Sequence, residues 1–208
     1  MTSITLRPTY WLWTSRIPAG AIVLGRGGRG SGSRCSAPGS PRGSRSASWT
    51  ASTTATPARS STPPPRLVER TIAGRLIAAA ADMSRMFRVD VHHTSPAGAV
   101  VLPLSLPRDC DALTDAITAH DVALLVLDPL ISVVDSRINV NQEELRTAHE
   151  PLAALADRTG AAVFGLAHLS KAGGTDVLSR ITGSRAFAAV ARAAIAFARD
   201  TGAETDRA

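Results

Sequence analysis

The residues of this chain that could do chemistry gather at the ends of two apolar runs. Val122-Ala123-Leu124-Leu125-Val126-Leu127 is a short, continuous apolar stretch, the pattern of a parallel strand buried on both faces, and it ends in a carboxylate, Asp128. A carboxylate at the C-terminal end of such a strand sits where ligands bind in open α/β sheets and can hold the water shell of Mg2+; it can equally cap a turn before Pro129. The second run, Ala161-Ala162-Val163-Phe164-Gly165-Leu166-Ala167, delivers His168, Leu169, Ser170 and Lys171 to the same edge. His168 is placed to orient water or read a phosphate, or to be a plain polar residue of a strand-end loop. Lys171 is the only lysine in the chain and stands in a Gly-rich turn, where a solvated loop charge is the commoner outcome. Ser184, Arg185 and Arg192 follow within Gly183 to Arg192, and each arginine suits either a contact supplied in trans to a phosphate or a surface position.

The elements that must position these groups are legible in the spacing. Leu145, Ala148, Leu152 and Leu155 recur at helical intervals between Glu143 and Arg158, with Gly160 just past the end as a C-cap. That makes one strand, crossover helix, strand unit carrying Asp128 and His168. Elsewhere the pattern predicts strands at Ala21 to Leu24, Met86 to Val91 and Ala193 to Ala198, and helices around Thr71 to Ala81 and from Asp109 to His120. The pair His92-His93 has no third ligand at useful spacing, which makes structural or solvated histidines the expectation. Cys35 and Cys110 have neither metal-ligand spacing nor a disulfide framework, so a reducing compartment fits. A length of 208 residues with 44% apolar content is enough for one α/β domain with a sizeable core. With no apolar run near the roughly 20 residues that cross a bilayer and no signal pattern, the expectation is a cytoplasmic protein with no membrane partner.

The net charge of +6 is not spread over the chain. Residues 26–66 hold seven arginines and no acid, which leaves −1 for the rest. That segment also contains no Leu, Ile, Val, Met or Phe, so it cannot supply a core, and by composition it reads as disordered. A structureless insert of such length inside a compact domain is anomalous.

Taken in order and spacing, Asp128-Pro129-Leu130, then Gly165 to Lys171, then Gly183 to Arg192 resemble the RecA-like ATPases related to plasmid-replication helicases. The likeness runs from Trp11 to about Arg199, and Trp11-Leu12-Trp13-Thr14 and Arg16-Ile17-Pro18-Ala19-Gly20 are similar to the segment that precedes the phosphate-loop strand there. The resemblance implies an α/β fold, a RecA-like P-loop core with a mainly parallel sheet flanked by helices, interrupted by a disordered segment at 26–66. It implies ATP and Mg2+ as cofactors, Asp128 holding the metal through water, and His168 beside it as the second catalytic residue. Lys171, Ser184, Arg185 and Arg192 become nucleotide-binding candidates, and the implied partners are ATP, DNA and further copies of the chain in a ring. The expected division is a lead-in and first strand at 1–25, a low-complexity segment at 26–68, the ATPase core at 69–200 and a polar tail at 201–208.

One departure matters as much as the match. Such ATPases cradle phosphates in a G-x-x-x-x-G-K-[ST] loop, and none is present; its place falls within Gly27 to Ser36. The acidic residue expected on the next strand is replaced by Pro63-Pro64-Pro65-Arg66. A one-base shift of reading frame accounts for both losses. If each hidden codon takes its second and third bases from one residue's first two, Arg29 to Ser36 permit E-G-I-G-K-S-L-L, and a β-like V-I-Y follows before Arg66. In-frame reading would resume near Leu67 to Glu69. Whether the chain as written hydrolyses ATP is left open by this reading. Its rivals are a catalytically inert pseudogene product and a nucleotide-independent interaction protein with a basic disordered arm that binds nucleic acid through phosphates.

Overall fold

The protein is described by a computed structural model that covers residues 8–27, 46–49, 72–96, 98–134, 142–168 and 190–197. Its centre is a six-stranded sheet in the order β10 (Ala193–Phe197), β3 (Ile22–Gly27), β9 (Ala162–His168), β8 (Val122–Leu127), β4 (Ser46–Trp49) and β5 (Met86–Arg88). Every neighbouring pair in it is parallel. A parallel sheet needs crossover connections and is covered on both faces, which is why its central strands read as unbroken apolar runs.

All six positions of β8 are buried. Leu125 and Leu127 join Ile22, Leu24 and Val163 in one core cluster, whereas Leu124 and Val126 join Val23, Phe164 and Leu166 on the other face. The first face is covered by Leu113 and Ile117 of α2 (Cys110–Ala119) and by Leu152 and Leu155 of α3 (Gln142–Thr159). Each fully buried leucine contributes roughly 1.5–3 kcal/mol relative to an exposed one. On the second face, a two-stranded antiparallel hairpin, β1 (Trp11–Trp13) with β2 (Ile17–Pro18), brings in fully buried Ile17, with Leu12 and Trp13 packed beside it.

The predicted C-cap is in place. Gly160 has φ +69, a left-handed conformation that a Cβ disfavours, and its N–H donates to the Ala156 carbonyl at 2.9 Å. Its own carbonyl accepts from the Gly20 N–H at 3.1 Å, which ties the end of α3 to the lead-in hairpin.

Three expectations are corrected. The stretch from Met86 to Val91 is not one strand: β5 ends at Arg88, Arg88 pairs with Asp90 across the bend, and the chain restarts as β6 (Val91–Ser95), antiparallel to β7 (Gly98–Leu102). The helix around Thr71 to Ala81 ends early: a π turn at 72–73 runs into α1 (Gly74–Ala78), and Ala80 takes φ +57 and leaves the helical region, while Thr71 lies outside the described residues. The segment at 26–66 is not uniformly without structure. Arg26 and Gly27 complete β3, and Ser46–Trp49 pair with β8 on one side and β5 on the other. Backbone hydrogen bonding asks nothing of side-chain chemistry, so even a Ser-Ala-Ser-Trp sequence can fill the gap between two strands. The remainder of 28–66 lies outside the described residues. No helix among the described residues is long and apolar enough to cross a membrane.

Candidate functional site

In a parallel sheet all C-terminal strand ends lie along one edge, and Gly27, Asp128 and His168 lie on it. The register pairs Gly27, the last residue of β3, with His168, the last of β9. Next to β9, the register pairs Leu127 with Gly165, and Asp128 follows one residue beyond. His168 therefore projects past Asp128 along the edge by about two strand residues, or ~7 Å. Gly27 thus falls beside His168 and one strand away from Asp128.

The exit from β8 is held by packing. Asp128 is half-buried, and beyond it Leu130 to Val133 form a single 3-10 turn in which the Ser132 N–H donates to the Pro129 carbonyl at 3.1 Å. Leu130 is buried and its side chain occupies the space above Gly165: a Cβ on that glycine would stand 2.7 Å from Leu130 Cδ2. The absence of a side chain at 165 lets the loop after Asp128 close down onto β9, which fixes the carboxylate's backbone relative to His168. Gly25 does the same on the opposite face, where an added Cβ would lie 2.3 Å from the ring of Phe164. The apolar-run reading passed over both positions, although an isolated glycine within a strand is a signal of close approach.

The other candidates are distributed differently. Lys171, Ser184 and Arg185 lie outside the described residues. Arg192 stands at the opposite edge: it immediately precedes β10, and its N–H donates to the carbonyl of Ile22, at the start of β3, at 2.8 Å. The length of β3, five residue steps or ~17 Å, separates it from the Gly27 and His168 end. Within one chain Arg192 is thus not part of the edge that carries Asp128.

A second polar cluster lies away from this edge, at the start of α2. Asp109 is only 4% exposed and accepts from the Ser105 N–H at 2.7 Å and from Arg108 Nε and Nη2, both at 2.8 Å. His93 Nε2 approaches it to 3.6 Å. Burial works to raise the Asp109 pKa, but the hydrogen bonds from Arg108 and Ser105, with the charges of Arg108 and His93, outweigh it and hold the carboxyl below its ordinary value. The adjacent Cys110 thiol is pushed up to about 11, by burial first and then by Asp111 and Asp109, so it is protonated at neutral pH. His93 is half-buried beside Asp109, and His92 is exposed. A cavity of about 220 Å³ opens between Phe87, Arg88, Leu113 and His120, and neither Asp128 nor His168 lines it.

A parallel sheet with a carboxylate directly after its buried central strand is the architecture of open α/β proteins, in which ligands bind outside the carboxyl ends of the strands. Residues 68–174, 107 of the 208, match the family model described as an AAA domain. The chain belongs to that family, a family of ATPase-type domains that in general use a nucleotide together with Mg2+. No curated protein matches the chain.

Proposed function

We propose that this chain is a RecA-like ATPase core whose nucleotide site is the sheet edge formed by Gly27, His168 and Asp128. The observation that supports this most directly is the register that sets Gly27 opposite His168, one strand from Asp128. A half-buried carboxylate at a strand end suits the water shell of Mg2+, which would supply charge neutralisation for a transferring phosphoryl group. Asp128 holds that shell, and His168 reads the terminal phosphate. Lys171, Ser184 and Arg185 follow β9 and are assigned to the nucleotide as well. Arg192, from the opposite edge, reaches a nucleotide only across a boundary between copies, as a ring would provide. The lineage's work is DNA-associated, of helicase or replication type, carried out by a homo-oligomer.

The same reading holds that the frame is displaced across residues 26–66. The sequence there has no G-K-[ST], so the chain as written lacks the backbone cradle and the lysine that supply most of the affinity for a triphosphate. Calorimetric titration with Mg-ATP tests both halves. The chain as written is expected to show no saturable binding up to millimolar nucleotide, while a version with the frame restored over 26–66 binds and loses that binding on Asp128→Ala. Saturable binding by the chain as written would overturn the displaced frame, and a restored chain indifferent to Asp128→Ala would overturn the site.

A further inference from the structure

The lead-in hairpin carries side chains that the nucleotide site does not use. Aromatic residues make up only 4% of the chain, yet Tyr10, Trp11 and Trp13 fall within four positions. Tyr10 is 73% exposed and Trp11 45% exposed, an unusual state for large rings that ordinarily bury most of their surface. They do not sit on a floppy end. The Tyr10 carbonyl accepts from the Ala19 N–H and the Trp13 carbonyl from the Arg16 N–H, each at 2.9 Å, and Trp11 pairs with Pro18. Other side chains of the hairpin face the core: Ile17 is fully buried, and Leu12 and Trp13 pack beside it. The Arg16 guanidinium lies over the Trp13 ring, 4.8 Å from its centroid, and among the described residues no carboxylate pairs with it. The chain's first acidic residue is Glu69, and the 68 residues before it hold nine arginines.

We infer that the exposed Tyr10 and Trp11 rings, with Arg16 on the same hairpin, form a stacking platform for single-stranded nucleic acid. Two exposed rings on a hydrogen-bonded hairpin that also carries a guanidinium match a partner that presents flat π surfaces and dense negative charge together. A duplex keeps its bases inside the stack and offers these rings little to contact. An anionic lipid surface matches the charge, but the platform turns its aliphatic side chains inward and offers no apolar insertion beyond the rings. The face lies by Gly20 and Gly160, at the sheet edge opposite Gly27 and His168, so a bound strand leaves the nucleotide edge clear. The inference deepens the DNA-associated part of the proposed function and rests on it.

The test is fluorescence anisotropy of the full chain with a labelled oligothymidylate, a duplex of matched length and, separately, phosphatidylserine vesicles. Replacing either Tyr10 or Trp11 with alanine is expected to weaken oligothymidylate binding by about 5- to 150-fold, the fold-change of about 1–3 kcal/mol of base stacking. Trp11→Phe keeps most of the affinity, and duplex binding moves far less. Since both rings are exposed, the thermal midpoint of the Tyr10→Ala/Trp11→Ala variant stays at the parent's value. If the parent binds oligothymidylate and the double variant binds it equally well, the platform is overturned while DNA association stands on the arginine-rich segment. If the parent binds no nucleic acid, the DNA-associated reading falls with it. Loss on vesicles rather than on oligothymidylate would reassign the face to a lipid surface and overturn the inference.

Discussion

β8 has two parallel neighbours, and they could hardly be less alike. On one side β9 presents Ala-Val-Phe-Gly-Leu-Ala-His, with Ala162, Val163, Phe164 and Leu166 all buried. On the other side β4 presents Ser-Ala-Ser-Trp, a sequence with no β-branched residue and two hydroxyls at positions that pair with Val122 and Leu125. A strand inside a parallel sheet is normally written in Val, Ile and Leu because both of its faces are covered. The comparison separates what the backbone ladder can do from what side chains must do. Hydrogen bonding admits β4 to the sheet, whereas β9 also brings the apolar area that stabilises it. The half of the core that bears Asp128 and His168 is the well-built half, and the other half coincides with the low-complexity segment.

The largest expected effect lies in the well-built half. Leu125 is fully buried in the core cluster that α2 and α3 cover, so Leu125→Ala should cost about 2–5 kcal/mol of stability, measured as the shift in urea midpoint times the slope. A cost below roughly 1 kcal/mol would mean that β8 is not packed as a central strand and would erase the contrast. Next comes Gly165→Ala, where the added methyl meets Leu130 at 2.7 Å and should cost about 1–3 kcal/mol. The double variant with Leu130→Ala relieves the clash, so the two costs should fall well short of additive. Additivity would show that Leu130 does not sit above Gly165, and with it would go the account of how the loop after Asp128 is held.

A smaller effect concerns the cover over β8. The folded Asp109 carboxyl has its pKa depressed below the ordinary 3.8, so it contributes stability that is fully present above that pH and is lost as pH falls through the folded value. Asp109→Asn should therefore lower stability at pH 7 and flatten its acid-side decline, as followed by thermal melts from pH 7 down to pH 3. An unchanged acid limb would mean that the Arg108 and Ser105 contacts to Asp109 do not persist in solution.

How much of this was legible in the sequence follows from the same physics. β8, α3, the Gly160 cap and β9 were readable because burial on both faces writes an unbroken apolar run, and a covered helix writes a period of 3.6. The break between β5 and β6 was not, since Met-Phe-Arg-Val-Asp-Val alternates smoothly through Val89 and Asp90 with no glycine or proline to mark the bend. β7 escaped because Val100, Val101 and Leu102 are all exposed, so no face of it was selected for apolarity. Of the site, Asp128 and His168 could be placed on one edge from strand order alone. Arg192 could not be placed on the other, because only the register of β10 on β3 reveals which end of the sheet it meets.

The smallest prediction bears most directly on the two neighbours. Ser48 pairs in register with Leu125 of β8 and with Phe87 of β5, so it is an interior position of the sheet on the backbone evidence alone. If β4 belongs where the ladder puts it, Ser48→Val replaces a residue poorly suited to a covered strand with one well suited to it. The gain should be at most about 1 kcal/mol, the full span of strand propensities, and visible as a raised urea midpoint with an unchanged slope. A valine placed there on an unattached segment would gain nothing and would leave the midpoint where it was. The same substitution in the chain with its frame restored over 26–66 supplies the contrast. There the displaced frame predicts that another run, the V-I-Y stretch, takes the place beside β8, so a change at position 48 should no longer act on the sheet. Stabilisation in the written chain and indifference in the restored one would show that β8 accepts whichever strand is offered and that side chains then decide how firmly it stays.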